Sequence, residues 1–442
     1  MRRATKTTAP RFDYVSIDSI KPSPDNPRRH PPEQIRQLTK AIEELGFINP
    51  IIVDANGIIV AGHARYIAAK RLKLHKIPVI RVDHLTEAQL RAYRLADNKL
   101  VENAEWDRDL LRVELSYLVD VNFDTEIAGF STTEIDLLLQ PMPVSDLADP
   151  ETVDAGTIEL PVAAPGDIFK LGAHRILCAD IRCQVAVQQF MGEIRADAVF
   201  TDPPYNVAVD GHISGLGKVK HDEFAMASGE MTSEQFVEFL HTTLGNHARV
   251  SRDGAVHYVC MDWRHQPELH AATAPIYETQ LNLCVWHKTN AGMGSLYRSQ
   301  HELIGVYRVG SRPHQKNVQL GKNGRYRTNV WSYAGMNSFG TERDESLAMH
   351  PTVKPVALIA DALQDLTSRG DVVLDGFLGS GSTLIAADQI GRVAYGVEVD
   401  PRYVDVSILP CQELTGEDAV HVQTGLPFYA LAEERLGSGE EV

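Results

Sequence analysis

Apolar positions occur as short continuous runs, as helical stripes and, in one stretch, without any period, and these patterns divide the chain. Tyr14 to Ile20 reads as a strand. Ile35, Leu38, Ala41, Ile42 and Leu45 recur at helical spacing, and Gly46 closes that helix. Pro50 to Asp54 and Ile58 to Val60 predict two strands joined by the Asn56-Gly57 turn. A helix then runs from Gly62 to Leu72, Ile77 to Val82 is a further strand, and Thr86 opens another helix with Glu87 in its first turn. Residues 97–139 predict helices that pack on this core through Leu110, Leu111, Leu115 and Leu118, the last helix covering Ser131 to Leu139. Residues 141–164 are rich in proline, alanine and acid and lack periodicity, which predicts a linker between domains at 14–140 and 165–435.

In the second domain Ala198-Val199-Phe200 is a short apolar run that ends in Asp202-Pro203-Pro204-Tyr205. Two consecutive prolines cannot continue a central strand. The strand therefore stops and presents Asp202 to Tyr205 at its carboxyl end, where open α/β sheets bind ligands. Tyr205 can stack on a flat heterocycle, worth about 1–3 kcal/mol per base. Asp202 and the Pro203 carbonyl can accept hydrogen bonds from an exocyclic amine. A plain proline turn with Asp202 as a cap is the competing reading of these residues alone. Farther on, strand Val372 to Leu374 leads through Asp375 into the loop Gly376-Phe377-Leu378-Gly379-Ser380-Gly381, a helix with Leu384, Ile385, Ala386 and Ala387, and a strand Ala394 to Val397 that ends at Glu398. The loop lacks the lysine of a phosphate-binding P-loop and the spacing of a dinucleotide fingerprint. A nucleoside cofactor without a phosphate chain fits it better: the glycines allow close backbone approach and Glu398 can hold a ribose diol. S-adenosylmethionine (SAM) is such a cofactor. Thr232 to Leu244 predicts a helix with Phe236, Val237, Phe239 and Leu240 inward, and Gly254 to Val259 and Leu281 to Trp286 predict further strands.

Composition adjusts this picture in three places. The net charge of −16 disfavours polyanion binding by the whole surface, so nucleic acid needs a local basic face. Tyr297 to Thr328 offers one, with Arg298, Arg308, Arg312, Lys316, Lys322, Arg325 and Arg327. The five cysteines are scattered without a C-x-x-C pair, which points to neither a zinc site nor a disulfide framework, and no metal is expected. No apolar stretch approaches a membrane span and the start has no apolar signal core, so a cytoplasmic protein is expected.

The D-P-P-Y turn followed downstream by D-x-F-x-G-S-G-[ST] resembles the β class of SAM-dependent DNA amino-methyltransferases, in which the catalytic motif precedes the cofactor loop. His350-Pro351-Thr352-Val353-Lys354-Pro355, Trp286-His287-Lys288 and the lead-in Leu171 to Asp180 resemble further segments of that class. The resemblance implies a Rossmann-like α/β methyltransferase fold of circularly permuted motif order. It assigns catalysis to Asp202, Pro203, Pro204 and Tyr205. It assigns the cofactor to Asp375, Phe377, Gly379, Ser380, Gly381, Ser382, Glu398, Asp400, Lys354 and Asp180. It places target recognition at about 290–349, with DNA contacts from Arg298, Arg308, Arg312, Lys322, Arg325 and Arg327. It implies duplex DNA as substrate, base flipping, a homodimer and nucleoid association. D-P-P-Y favours adenine N6, with cytosine N4 the alternative. A partitioning-type DNA-binding protein with a degenerate methylase domain is the alternative of another class. The intact Asp202, Tyr205, Asp375, Gly379 and Gly381 speak against it.

Asn26-Pro27-Arg28, Gly46-Phe47, Pro50-Ile51 and Gly62 to Leu72 resemble the small α+β ParB/sulfiredoxin-like domain. In that family a glycine-basic loop binds a nucleotide phosphate at a helix N-terminus. The resemblance implies a nucleotide pocket at Arg28, Gly62, His63 and Arg65, with a docking or DNA-positioning role as the alternative. No carboxylate cluster supports a metal-dependent nuclease. Pro410-Cys411-Gln412 matches the tripeptide of cytosine-C5 methyltransferases, but it lies after the cofactor acid strand and reads as incidental.

Overall fold

The computed structural model describes residues 11–121, 123–139, 155–207, 229–289, 296–318, 327–334 and 353–437. The chain separates into two compact units, Met1–Leu139 and Gln140–Val442.

The first unit holds strands β1 (Arg11–Ser16), β2 (Ile51–Val53), β3 (Ile59–Ala61) and β4 (Lys76–Arg81) in the order β1-β4-β2-β3. Its helices are α1 (Pro32–Leu45), α2 (His63–Arg71), α3 (Glu87–Lys99), α4 (Arg108–Asp120) and α5 (Thr132–Leu139). The strand expected from Tyr14 to Ile20 starts earlier and ends at Ser16, because the Ser16 hydroxyl accepts from Asp18 N–H and turns Ile17–Ser19 into a 3₁₀ turn. Ile17, Ile20, Ile51, Val53, Ile59, Tyr66, Ala69, Ile77 and Val79 form the core. On α4 the inward stripe is Leu111, Leu115 and Leu118, at i, i+4 and i+7. Leu110 lies about 100° round the helix from Leu111 and is 66% exposed, so it does not share the packed face expected for it.

The second unit is a ten-stranded sheet with helices on both faces. Its strands are β5 (Ile168–Leu171), β6 (His174–Cys178), β7 (Ala196–Thr201), β8 (Ser251–Met261), β9 (Thr279–Lys288), β10 (His301–Arg308), β11 (Val330–Tyr333), β12 (Val372–Asp375), β13 (Val393–Glu398) and β14 (Val420–His421). The order is β11-β9-β10-β8-β7-β12-β13-β6-β5-β14. The central five, β8-β7-β12-β13-β6, run parallel, so β7, β12 and β13 all end at one edge. Their near-continuous apolar runs reflect burial on both faces. The helices are α6 (Gln184–Met191), α7 (Ser233–Val250), α8 (Gln266–Thr273), α9 (Val356–Leu366), α10 (Ser382–Gln389), α11 (Pro401–Thr415) and α12 (Phe428–Leu436). A capping box at Thr232 and Gln235 starts α7, which runs on to Val250, beyond the expected Leu244. Residues 155–164, read from the sequence as the end of a linker, pack on this unit. Both carboxylate oxygens of Asp405 accept from them, from Val162 N–H at 2.6 Å and Ala163 N–H at 3.0 Å. α11 continues through Pro410, and Cys411 is fully buried within it with its thiol pushed up by burial to about 12. A thiol held protonated in a core is no nucleophile, which disposes of the C5-methyltransferase tripeptide.

Candidate active site

β7 delivers Asp202 to the carboxyl edge of the sheet, and the two prolines that follow turn the chain out of it. Asp202 is partly buried and doubly held. Lys354 Nζ lies 2.5 Å from Oδ2, and the Tyr205 hydroxyl donates to Oδ1 at 2.6 Å. Lys354, placed by sequence resemblance with the cofactor residues, thus sits on Asp202. It also reaches Glu302 Oε2 at 3.1 Å, while Lys288 grips Glu302 Oε1. Two acids and two lysines therefore form one buried, charge-balanced chain, Asp202–Lys354–Glu302–Lys288. Trp286 walls it: its ring lies 4.5 Å from Lys288 Nζ and 5.8 Å from Lys354 Nζ.

The electrostatics follow from that balance. Burial opposes ionisation of Glu302, but Lys354 and Lys288 outweigh it and hold its carboxyl down at about 2. Burial would strip the proton from Lys354, but Asp202 and Glu302 outweigh it and keep the ammonium charged. Burial pushes the Asp202 carboxyl up, with Lys354 opposing and Glu302 adding to the shift. Burial, then the Asp202 charge, keeps the Tyr205 hydroxyl protonated. Each Asp202 oxygen has spent one lone pair within the protein and keeps one for an incoming donor.

Asn206, next in the chain, adopts the left-handed conformation (φ 54°). Its amide donates to Met231 O at 2.9 Å and accepts from Gly229 and Met231 N–H at 3.1 and 3.2 Å. It thereby ties the two ends of the glycine-rich segment 206–229. Residues 208–228 of that segment lie outside the described residues.

Alongside lies the glycine loop after β12. Asp375 accepts from Thr201 Oγ1 (3.1 Å) and Phe377 N–H (3.0 Å) on one oxygen and from Thr383 Oγ1 (2.7 Å) on the other. It braces the loop against β7 and α10, a more internal role than the ligand contact expected of it, and burial pushes it up to about 6. Gly381 opens α10 in the left-handed conformation, and a Cβ there would meet Ser407 of α11 at 3.0 Å. Ser380 and Ser382 place their hydroxyls 3.4 Å apart at the same helix start. Phe377 packs on Phe239, with ring centroids 6.0 Å apart. At the end of β13, Glu398 accepts from Gly379 N–H (2.9 Å) and Asp400 N–H (3.0 Å) on separate oxygens, and burial pushes it up to about 7. Asp400 pairs with Arg402 at 2.8 Å and caps α11. Asp180, past the end of β6, pairs with Arg182 at 2.6 Å.

His247, on α7, carries no motif in the sequence, yet it presses on this loop. Its Nδ1 donates to Thr243 O at 2.8 Å, and burial pushes it down to about 4, so the ring is neutral. A Cβ on Gly376 would stand 2.3 Å from its Nε2. Gly376→Ala is therefore expected to cost about 1–3 kcal/mol of overpacking and to displace the cofactor loop. Denaturant midpoints and SAM affinity check this, and His247→Ala in the same chain should recover part of both losses.

The basic segment is less uniform than its sequence. Arg298 is exposed, and Arg312 is exposed beside Asp253 at 3.5 Å. Arg308 donates to Thr279 Oγ1 at 3.2 Å. Lys322 and Arg325 lie outside the described residues. Arg327 turns inward: it pairs with Asp361 at 2.8 Å and Asp365 at 2.9 Å and lies 5.1 Å from the Trp331 ring centroid. These acids satisfy its charge, so it serves the fold and not a phosphate.

In the first unit Arg28, Gly62, His63 and Arg65 do share the wall of one cavity of about 590 Å³. One nitrogen of each arginine is already engaged. Arg28 donates to Asn98 Oδ1 at 3.1 Å, and Arg65 to the Asn49 and Pro50 carbonyls at 2.9 and 3.0 Å. His63 Nε2 accepts from Ser23 N–H at 3.2 Å, and burial lowers it to about 4.

The donor set of the sheet edge fits S-adenosylmethionine. Glu398 sets a buried carboxyl at the end of β13 that can accept from a diol, the loop opens α10 on glycine, and Asp180 and Asp400 each pair with the arginine two residues on. The Glu398 carboxyl, once ionised, suits a diol and a cationic cofactor better than a phosphate chain. A Rossmann-like sheet with this edge defines a SAM-dependent methyltransferase. Comparison with known proteins places it further. Residues 196–409 match the N6/N4 DNA methylase family, residues 1–99 the ParB N-terminal domain and residues 109–165 the ParB-methyltransferase helix-turn-helix domain. The ParB-like nuclease domain-containing protein YnaK of Escherichia coli (strain K12) is 40% identical over 76 residues, 17% of this chain and 87% of the relative. Type II methyltransferase M.HpaI of Haemophilus parainfluenzae is 22% identical over 249 residues, 53% of this chain and 73% of the relative. The crystal structure of the M1.HpyAVI–SAM complex aligns over 53% of this chain and 98% of that one, at 17% identity and TM-score 0.38. The chain carries a DNA methylase domain of the N6/N4 family behind a ParB N-terminal domain. The helix-turn-helix match covers α4 and α5 and reaches through the stretch read as a linker. The pattern of apolar positions does not reveal it, because the helical period fades after Leu139. No helix among the described residues is long and apolar enough to cross a membrane.

Proposed function

We propose that this DNA methyltransferase transfers the methyl group of SAM to the N6 amino group of adenine in duplex DNA, acting on a base flipped out of the helix. The observation that carries the reading is the Asp202–Tyr205 hydrogen bond of 2.6 Å at the carboxyl end of β7, with Lys354 on the other carboxylate oxygen. It fixes an acceptor and a ring face together beside the cofactor loop. The aspartate in D-P-P-Y favours adenine over cytosine N4 by resemblance, since both bases present an exocyclic amine.

The cofactor supplies an electrophilic methyl on a sulfonium. Glu398 takes the ribose hydroxyls, with Asp400 and Asp180 flanking. The Gly379–Ser382 backbone approaches the cofactor, Phe377 packs beside it, and Asp375 holds the loop in shape. Asp202 and the Pro203 carbonyl accept the amine N–H bonds, which turns the nitrogen lone pair out of the ring plane. The nitrogen would displace the sulfonium in line, its C–N bond forming as the methyl–sulfur bond breaks and its surplus proton passing to solvent, so no covalent enzyme intermediate is needed and positioning supplies much of the rate. Flipping costs a few kcal/mol, and stacking on Tyr205 offsets part of it. Arg298, Arg308 and Arg312 are the described arginines of the recognition segment assigned to DNA. We further assign the cavity of the first unit to a nucleotide, supported by Gly62 opening α2 beside Arg28 and Arg65. A homodimer acting on nucleoid DNA completes the reading.

The test is transfer of labelled methyl from SAM to mixed-sequence duplex DNA, followed by digestion to nucleosides. Label in N6-methyladenine is expected, and label in N4-methylcytosine would overturn the base assignment while keeping the reaction. The Glu398 role predicts a pH dependence. Its carboxyl, at about 7, must ionise to accept two ribose hydroxyls. SAM affinity should therefore rise about tenfold from pH 6 to pH 8 and level off above. Titration calorimetry of Glu398→Gln should show a weak, flat profile. Because the folded value is raised, the same group has the opposite effect on the free protein, whose stability falls as pH rises from about 4.5 through about 7.

A further inference from the structure

We propose that Trp263 and Arg264 form a contact platform for the DNA flanking the target base. The inference rests on the duplex-DNA reading above. Both residues follow β8, which runs parallel to β7 and ends at the same edge. Thr201 of β7 pairs with Val259, which sets Asp202 level with Cys260. On the other side of β8, Leu303 pairs with Met261, which sets Glu302 level with Asp262. Trp263 is thus the next residue beyond the level of the buried charge chain and stands on the rim of the reaction edge.

Two features distinguish this pair from ordinary surface residues. Trp263 is 52% exposed, whereas the other two tryptophans of this unit, Trp286 and Trp331, are buried in the core. The Arg264 side chain is 56% exposed, and its guanidinium lies over the indole, 4.8 Å from the ring centroid. Neither side chain makes a hydrogen bond among the described residues. Asp262 forms an ion pair with Arg264 through Oδ2 at 3.7 Å, beyond hydrogen-bond distance, and spends Oδ1 on His265 N–H (3.0 Å) and Nδ1 (2.8 Å). That turn is anchored by His265 edge-on to the buried Phe236 ring at 5.4 Å, and Pro267 starts α8 directly after it. An apolar ring and the guanidinium donors therefore face solvent at the sheet edge where Asp202 stands. Such a pair suits a nucleic acid, whose bases offer π faces and whose phosphates offer acceptors in fork geometry. Arg264 takes a backbone phosphate, and Trp263 stacks against the base exposed when its neighbour leaves the helix.

The experiment uses the full chain and a fluorescently labelled duplex that the wild type methylates. Anisotropy is read across a salt series, with SAM affinity as the check on folding. Trp263→Ala should weaken DNA binding about 5- to 150-fold with an unchanged salt slope. Arg264→Ala should weaken it and reduce the slope of log Kd against log salt by about 1. Arg264→Lys should keep that slope. If the wild type methylates DNA while both alanine variants bind as it does, the platform is refuted and the activity stands. A wild type that methylates no duplex removes the activity and the platform together.

Discussion

Replacing Asp202 by alanine is expected to lower turnover about 100- to 1000-fold while SAM affinity changes little. In the proposed reaction Asp202, at the carboxyl end of β7, is the acceptor for the amine. A contact made more strongly in the transition state than in the ground state appears in kcat and not in substrate affinity. The variant leaves Lys354 with one acid, Glu302, at 3.1 Å and the charge chain with one cation in excess, so some stability is lost with it and unchanged SAM affinity is the check that the fold persists. Turnover of labelled methyl onto DNA, beside SAM titration, checks this. A variant that keeps more than about a tenth of wild-type turnover would remove Asp202 from the chemistry, since the oxyanion-type donors it is compared with cost at least ten times that. Tyr205→Phe, which deletes the 2.6 Å hydrogen bond and keeps the ring, should fall between the two.

Replacing Glu302 by glutamine should cost about 3–5 kcal/mol of folding stability, the larger structural effect. It leaves Lys288 and Lys354 buried with Asp202 alone, one cation in excess. The sign with pH follows from the lowered carboxyl of Glu302, held at about 2 by its two lysines against burial. Its contribution is complete above the ordinary carboxylate range and is lost as pH falls toward about 2, so the variant should differ most from wild type at neutral pH and converge with it in acid. Lys288→Met in the same chain restores the balance, and the double variant should be more stable than Glu302→Gln alone. Urea midpoints at pH 7 and pH 3 measure both effects. A single variant within about 1 kcal/mol of wild type at pH 7 would show that the charge chain does not hold the site together.

Local chemistry makes much of this protein legible in its sequence. Two prolines must end a strand wherever it lies, so four residues, Asp202-Pro203-Pro204-Tyr205, suffice to place a sheet edge. Gly376 to Gly381 between two apolar runs must be a turn, and Glu398 after the second run must stand at that same edge. The leucine periods of α1 and the Asn56-Gly57 turn are readable for the same reason: the forces that decide them act within a few residues. Leu110 departs from expectation because four leucines suggest one face, while helical geometry allows only Leu111, Leu115 and Leu118 to share it.

The partners of those local features are not readable, because they come from remote parts of the chain. Lys354 lies 152 positions from Asp202, and Glu302 lies 97 from Tyr205. Glu302 sits inside an apolar strand, and that oddity is the one sequence signal for it. A lone acid in a buried strand requires a cation, yet the chain has many lysines and sequence does not rank them by distance. Arg327 shows the converse, since a basic run looks the same whether its arginines face solvent or, like this one, two acids on α9. The sequence by itself determined the turn types, the acceptor at the edge and the class of cofactor, because these follow from backbone sterics and donor chemistry. Only the tertiary structure decided which charges meet, because burial makes an unpaired charge costly and the sheet order sets which charges lie within reach of each other.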